Sequence, residues 1–171
     1  NGEKEFTGVF AGDYILAHKE ACAFVDKQNG VVIEEEAPIV IATCGGFPKD
    51  INIYQSQKTM DNAVKAVQEG GCVILLAECR EGSGSAVFDE TVNTYDSIQA
   101  IEDSVRKDFQ IGRHKAYAVT RLMKKAEFMV LSKMEDEVAR KAFFTPVHSV
   151  EEALALAEEK LGKDAIIILM P

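Results

Sequence analysis

Val73-Ile74-Leu75-Leu76-Ala77 is an unbroken apolar run with no polar residue at alternate positions. A strand with one wet face alternates apolar and polar residues. A continuous run fits a strand buried on both faces, as in a parallel sheet covered by helices. Ile39-Val40-Ile41-Ala42 has the same character, as do residues 128–131 (FMVL) and 166–169 (IIIL). Helical patterns lie between these runs. Met60, Ala63, Val64 and Val67 recur at helical spacing, and Gly70-Gly71 is expected to end that helix. Ile98, Ile101, Val105 and Phe109 form a second stripe, opened by Asp96 with Gln99 as a capping box. Gly112 breaks it, and residues 115–125 resume the period. Residues 135–141 predict a short polar helix. Ser149 with Glu152 forms a capping box before Val150, Ala153, Leu154, Ala157 and Leu161, with Gly162 as the stop. Strand and helix thus alternate from residue 39 onward. This predicts an α/β fold, a largely parallel sheet with helices on both faces in three layers.

The chain before residue 38 has a different texture. Residues 6–11 (FTGVFA) predict a short strand, and Asp13 caps a helix carrying Tyr14, Ala17, Ala21, Phe24 and Val25 up to Asn29-Gly30. Val31-Val32-Ile33 is expected to be extended. Residues 1–37 are expected to form a leading or joining segment and residues 38–171 the α/β domain. The chain opens at Asn1 rather than Met, and it reads as a piece of a longer protein.

Composition narrows the function classes. The 171 residues are 47% hydrophobic, enough for a proper core, and carry a net charge of −9. That charge argues against a nucleic-acid or anionic-membrane partner, each of which needs a basic face. No apolar stretch approaches the roughly 20 residues of a membrane span. Cys22, Cys44, Cys72 and Cys79 have no CxxC spacing, so reduced thiols and a cytoplasmic setting are expected. His18, His114 and His148 are scattered, and no metal site is expected within the chain.

Ligands of open parallel sheets sit beyond the carboxyl ends of the strands. Two glycine-bearing loops leave such ends. One runs over residues 44–50 with Gly45 and Gly46; the other runs over residues 78–90 with Gly82 and Gly84. Turn glycines alone would explain either loop, and a ligand rim would explain both. Gly82-Ser83-Gly84-Ser85-Ala86-Val87 does not make a dinucleotide fingerprint. It has Val where the third Gly or Ala belongs, its strand ends too early, and no prompt helix start is expected.

Tyr54-Gln55-Ser56-Gln57-Lys58 carries the sharper signal. With Asp50 as cap and about 100° per residue, Tyr54, Gln55 and Lys58 gather on one side of the helix, opposite the apolar stripe. A phenol, an amide and an ammonium together can hold a carboxylate or an oxyanion. A solvated helix face with a lysine on it satisfies the same spacing.

The segment from Gly45-Gly46-Phe47-Pro48-Lys49-Asp50 through Tyr54-Gln55-Ser56-Gln57-Lys58 resembles the carboxy-terminal domain signature of the nickel-pincer-nucleotide lactate racemase family. Gly70-Gly71, residues 78–84 (ECREGSG) and residues 112–117 (GRHKAY) are similar to that domain as well. Phe47 stands where a tyrosine is more usual. The resemblance implies a racemase or epimerase of lactate or a related 2-hydroxy acid. It implies hydride transfer on a nickel-pincer nucleotide, which an amino-terminal domain mainly binds. That domain would be the partner, and the active site would lie in the cleft between the two. Tyr54, Gln55 and Lys58 would hold substrate, Lys58 with a catalytic role. Gly45, Gly46, Gly82 and Gly84 would line the cleft, whose helix amides would also favour anions. The chain alone would fold and be inactive. A non-catalytic domain that binds an acidic metabolite or a protein partner is the alternative.

Overall fold

The computed structural model describes residues 5–171. The chain divides into two compact units, one up to Glu34 and one over Glu35–Pro171. In the first unit, α1 spans Tyr14–Asn29, and the Asp13 carboxylate accepts from the Ile15 and Leu16 amides at 3.1 Å, as the capping rule predicts. No residue of α1 is buried. Phe10 and Phe24 pack ring to ring at 5.4 Å. Residues 6–11 are not a strand, contrary to expectation, and residues 31–33 carry no regular secondary structure. Apolar, β-prone residues become a strand only where a sheet edge receives their amides and carbonyls, and neither segment pairs with one.

The second unit is built on β1 (Ala37–Thr43), β2 (Val67–Leu76), β3 (Glu127–Leu131), β4 (Thr145–Val147) and β5 (Ile167–Met170). All neighbours run parallel, in the order β4-β3-β2-β1-β5. The helices are α2 (Ile53–Ala63), α3 (Ala86–Thr94), α4 (Ile98–Lys107), α5 (Arg113–Thr120), α6 (Asp136–Lys141) and α7 (Val150–Leu161). A single 3₁₀ turn over Arg121–Lys124 follows α5.

The apolar runs of β1, β2 and β3 are buried on both sides, as predicted, whereas the run in β5 lies at the sheet edge with Ile167 and Leu169 exposed. On one face Val40, Val73, Leu75, Phe128 and Val130 pack with Met60 of α2, Phe88 of α3, Ile101 of α4 and Val119 of α5. Phe144 stands edge-on to Phe128 there, at 6.4 Å. On the other face Ile39, Cys72, Ile74 and Met129 pack under Ala153 and Ala157 of α7. Alternate residues of one strand therefore feed two separate cores, which is why no position in the run tolerates a polar side chain. Ser149 caps α7 as predicted, while Glu152 reaches back one residue beyond the cap. Ser149 Oγ accepts from the Glu152 amide at 3.0 Å, and the Glu152 carboxylate accepts from the His148 amide at 2.7 Å.

Several boundaries differ from expectation. The stripe from Met60 to Val67 is not one helix: α2 ends at Ala63, and Val67 opens β2, fully buried. Gly70-Gly71 lies inside that strand. The pairing jumps from Ala37↔Val67 to Ile39↔Cys72, so residues 68–71 loop out of register. A Cβ on Gly71 would stand 2.5 Å from the Pro38 carbonyl oxygen, so the bulge admits only glycine there. Residues 78–90 are not one long loop, because Ser85 caps α3 through the Phe88 amide at 3.3 Å. The helix after it is capped by Ser97 rather than Asp96. The short strand β4 contains Pro146 and gave no periodic signal.

Candidate functional site

The carboxyl ends of β1 and β2 lead into two loops, residues 44–52 and 77–85, that are tied to each other by main-chain bonds. The Cys79 amide donates to the Asp50 carbonyl at 2.8 Å, and the Glu81 amide donates to the Ile51 carbonyl at 3.0 Å. The Glu78 amide donates to the Asp50 carboxylate at 3.1 Å. Asp50 is therefore a buried strap between loops, not the helix cap expected of it. Asn52 is the cap, accepting from the Gln55 amide at 3.0 Å. Gly45 and Gly46 sit in the first loop and Gly82 and Gly84 in the second, all with positive φ. Further out, the Arg80 guanidinium lies 4.1 Å from the centre of the Phe47 ring, a cation–π contact between the loops.

This knitting decides one chemical question. The Ile53 amide donates to the Gly82 carbonyl at 3.0 Å and the Tyr54 amide donates to the Ser83 carbonyl at 3.1 Å. With the Gln55 amide on Asn52, the opening amides of α2 are already satisfied. The expectation that they favour an anion is thus corrected, and these amides add no anion affinity to the site.

Tyr54, Gln55 and Lys58 do lie together. Tyr54 and Gln55 are half-buried and Lys58 is exposed. The Lys58 ammonium donates to Gln55 Oε1 at 2.8 Å. The opposite side of α2 buries Ile53, Met60 and Ala63. Two further residues belong to this patch. Gln57 is buried, and Lys115 reaches over from α5, its Nζ 4.6 Å from the centre of the Tyr54 ring. Lys115 donates to Gln57 Oε1, and the Gln57 amide nitrogen donates to Asp61. Burial holds the Lys115 ammonium below the ordinary lysine value, and the Lys58 charge adds to that, with Asp61 opposing. Periodicity of α2 gave no hint of Lys115, because it is brought in by helix packing; residues 112–117 were the only sequence signal for it.

Two buried thiols of the domain are held in the protonated form. Burial pushes Cys79 up to about 11, despite a contact from Ser56 Oγ at 3.7 Å. Burial, with Glu127 adding to it, pushes Cys72 up to about 12. Among the described residues, no group of three or more His, Cys, Asp or Glu side chains could hold a metal ion. Two grooves, of about 440 and 410 Å³, flank this region, one along Tyr117 and Arg121 and the other along Gly82 and Ser83 of the second loop and Asp89 of α3. No helix among the described residues is long and apolar enough to cross a membrane.

The model of the lactate racemase C-terminal domain family matches residues 32–171. The chain belongs to this family. It is 32% identical over 172 residues to the lactate racemase of Thermoanaerobacterium thermosaccharolyticum, covering 98% of this chain and 40% of that protein. It is 43% identical over 86 residues to the lactate racemase of Lactiplantibacillus plantarum, covering 50% of this chain and 20% of that one. The structure of the T. thermosaccharolyticum lactate racemase apoprotein superposes with a TM-score of 0.80 at 28% identity, covering 91% of this chain and 38% of that chain. A Thermotoga maritima protein shares the fold alone, at a TM-score of 0.56 and 10% identity. The chain thus spans about two-fifths of the curated relative's length.

Proposed function

We propose that this chain is the carboxy-terminal domain of a 2-hydroxy-acid racemase, and that its Tyr54–Gln55–Lys58 face forms one wall of the active-site cleft. The observation that carries this reading is the Lys58 ammonium, exposed yet steered by Gln55 Oε1 at 2.8 Å, on the helix side opposite the buried stripe. Residues 38–171 would be the domain proper and residues 1–37 the segment that joins it to an amino-terminal domain.

In racemisation by hydride transfer the substrate carbon would lose a hydride and regain it on either face, while the hydroxyl would give its proton to a base outside this chain and later take one back. The carboxylate must stay fixed while the hydroxyl carbon turns planar and becomes a carbonyl. Lys58 supplies a positive charge for the carboxylate, and Tyr54 supplies a phenol donor. Gln55 limits where the ammonium can go, so less freedom is lost on binding. Because α2 is seated on the sheet and its first turn is bonded to the second loop, both groups ride on a rigid element. A nickel-pincer nucleotide, when bound, would supply the hydride acceptor and donor. The residues here fit the anionic groups of such a nucleotide or of the substrate. They do not fit the nickel, because among the described residues no group of three or more His, Cys, Asp or Glu side chains could hold a metal ion, and its ligands would have to come from outside this chain.

The test is racemisation by the full-length parent protein. Lys58→Ala should lower kcat/KM by about 10- to 100-fold, the worth of one charge-assisted hydrogen bond, while the circular dichroism melt stays unchanged. A wild-type rate would refute the assignment. The chain by itself, supplied with cofactor and lactate, should show no turnover.

A further inference from the structure

Lys115 holds a position that the functional reading above leaves unused. A lysine on α5 could extend into water. Instead its ammonium is half-buried, beside a second ammonium that repels it. Something holds it there. The restraint is a chain of side chains across three elements. Arg121, in the 3₁₀ turn, pairs with Asp61 at 3.2 Å. Asp61 accepts from the Gln57 amide nitrogen, and Gln57 Oε1 accepts from Lys115. Gln57 is only 5% exposed, and its amide has a single workable orientation. Flipped, its NH₂ would face the ammonium and its carbonyl would face the carboxylate. The chain therefore has a built-in polarity, and it ends over one face of the Tyr54 ring.

We propose that Lys115 is a positioning residue for Tyr54, clamped by the Arg121–Asp61–Gln57 chain so that its ammonium fixes the phenol ring. This rests on the reading that Tyr54 faces substrate. The contact occupies one ring face, so a ligand meets the phenol by its oxygen or its other face. The ammonium also adds a second positive charge close to Lys58, in a chain whose net charge is −9. An arriving carboxylate would meet a local cationic spot on an acidic molecule.

Two measurements test this. In the 171-residue chain with ¹³C-labelled tyrosine rings, Lys115→Met keeps the aliphatic stem and removes the charge. The Tyr54 ring resonances should shift and those of Tyr14 and Tyr95 should not, while Lys115→Arg should keep the native Tyr54 pattern. In the full-length parent, Lys115→Met should raise KM for the hydroxy acid about three- to tenfold with a smaller effect on kcat, from the usual worth of a partly buried cation–π contact. Its effect should be smaller in a Tyr54→Phe background, where only the lost charge still counts. Tyr54 resonances unmoved by Lys115→Met would overturn the proposal. Shifted Tyr54 resonances in a protein where Tyr54→Phe leaves racemisation unchanged would keep Lys115 as the ring's anchor and refute the substrate role of that face.

Discussion

Gly84→Ala should damage the helix that carries the candidate site, although the glycine lies in another loop. Gly84 has φ +78, and a Cβ built on it would stand 2.3 Å from Asn52 Nδ2, 2.4 Å from Cγ and 2.9 Å from Cβ. The near end of the Asn52 side chain is in the way, so a small rotamer change does not clear it. Two costs add. An alanine forced into the left-handed region costs about 1–2 kcal/mol. Displacing Asn52 removes its bond to the Gln55 amide, and losing such a cap costs about 1 kcal/mol. The sum, about 2–3 kcal/mol, should lower Tm by roughly 5–10 °C in a domain of this size. Thermal melts followed by circular dichroism would measure it. Asn52→Gly provides the control, because it removes the obstacle and retains most of the cap preference. The double variant Asn52→Gly/Gly84→Ala should be more stable than the sum of the two singles by about 1 kcal/mol. A Gly84→Ala melt within 1 °C of the parent, or strict additivity in the double variant, would refute the steric reasoning.

Two further outcomes follow from the electrostatics. At pH 8, iodoacetamide should label Cys22 in the native chain and spare Cys44, Cys72 and Cys79, which are buried; all four should react in denaturant, as peptide mass spectrometry would show. Glu102 accepts from both Arg106 and Lys124, and these partners hold its carboxyl down at about 2, from an ordinary 4.5. A lowered native value means that its stabilisation is present above pH 4.5 and is lost as pH falls through about 2. Glu102→Gln should therefore be less stable than the parent in urea titrations at pH 7, and the gap should close near pH 2. A gap independent of pH would show that these ion pairs do not contribute.

Much of the fold was legible in residues 37–171 because both cores take their residues from short local patterns. The run Val73–Ala77 has no polar position, so it had to be covered on both sides. Ser149 and Glu152 marked the start of α7 through bonds that span only a few residues. The failures came where the local pattern was satisfied by the wrong partner. Val67 continues the helical period of Met60 and Ala63, yet a fully buried place in the sheet outweighs one more helical turn. Phe6 and Val9 look strand-like, but residues 6–11 take up no regular secondary structure, because strand propensity counts only where a backbone partner accepts the pairing.

The sequence by itself determined the α/β class, the parallel character of the sheet and the outward placing of Tyr54, Gln55 and Lys58, since periodicity along one element decides each of these. Only the tertiary structure decided the strand order β4-β3-β2-β1-β5, the capture of the α2 amides by the second loop, and the arrival of Lys115 over the Tyr54 ring. Those features join residues far apart in the chain. The bond from Lys115 to Gln57 spans 58 positions, and it exists because α5 packs against α2, a pairing that no local propensity encodes.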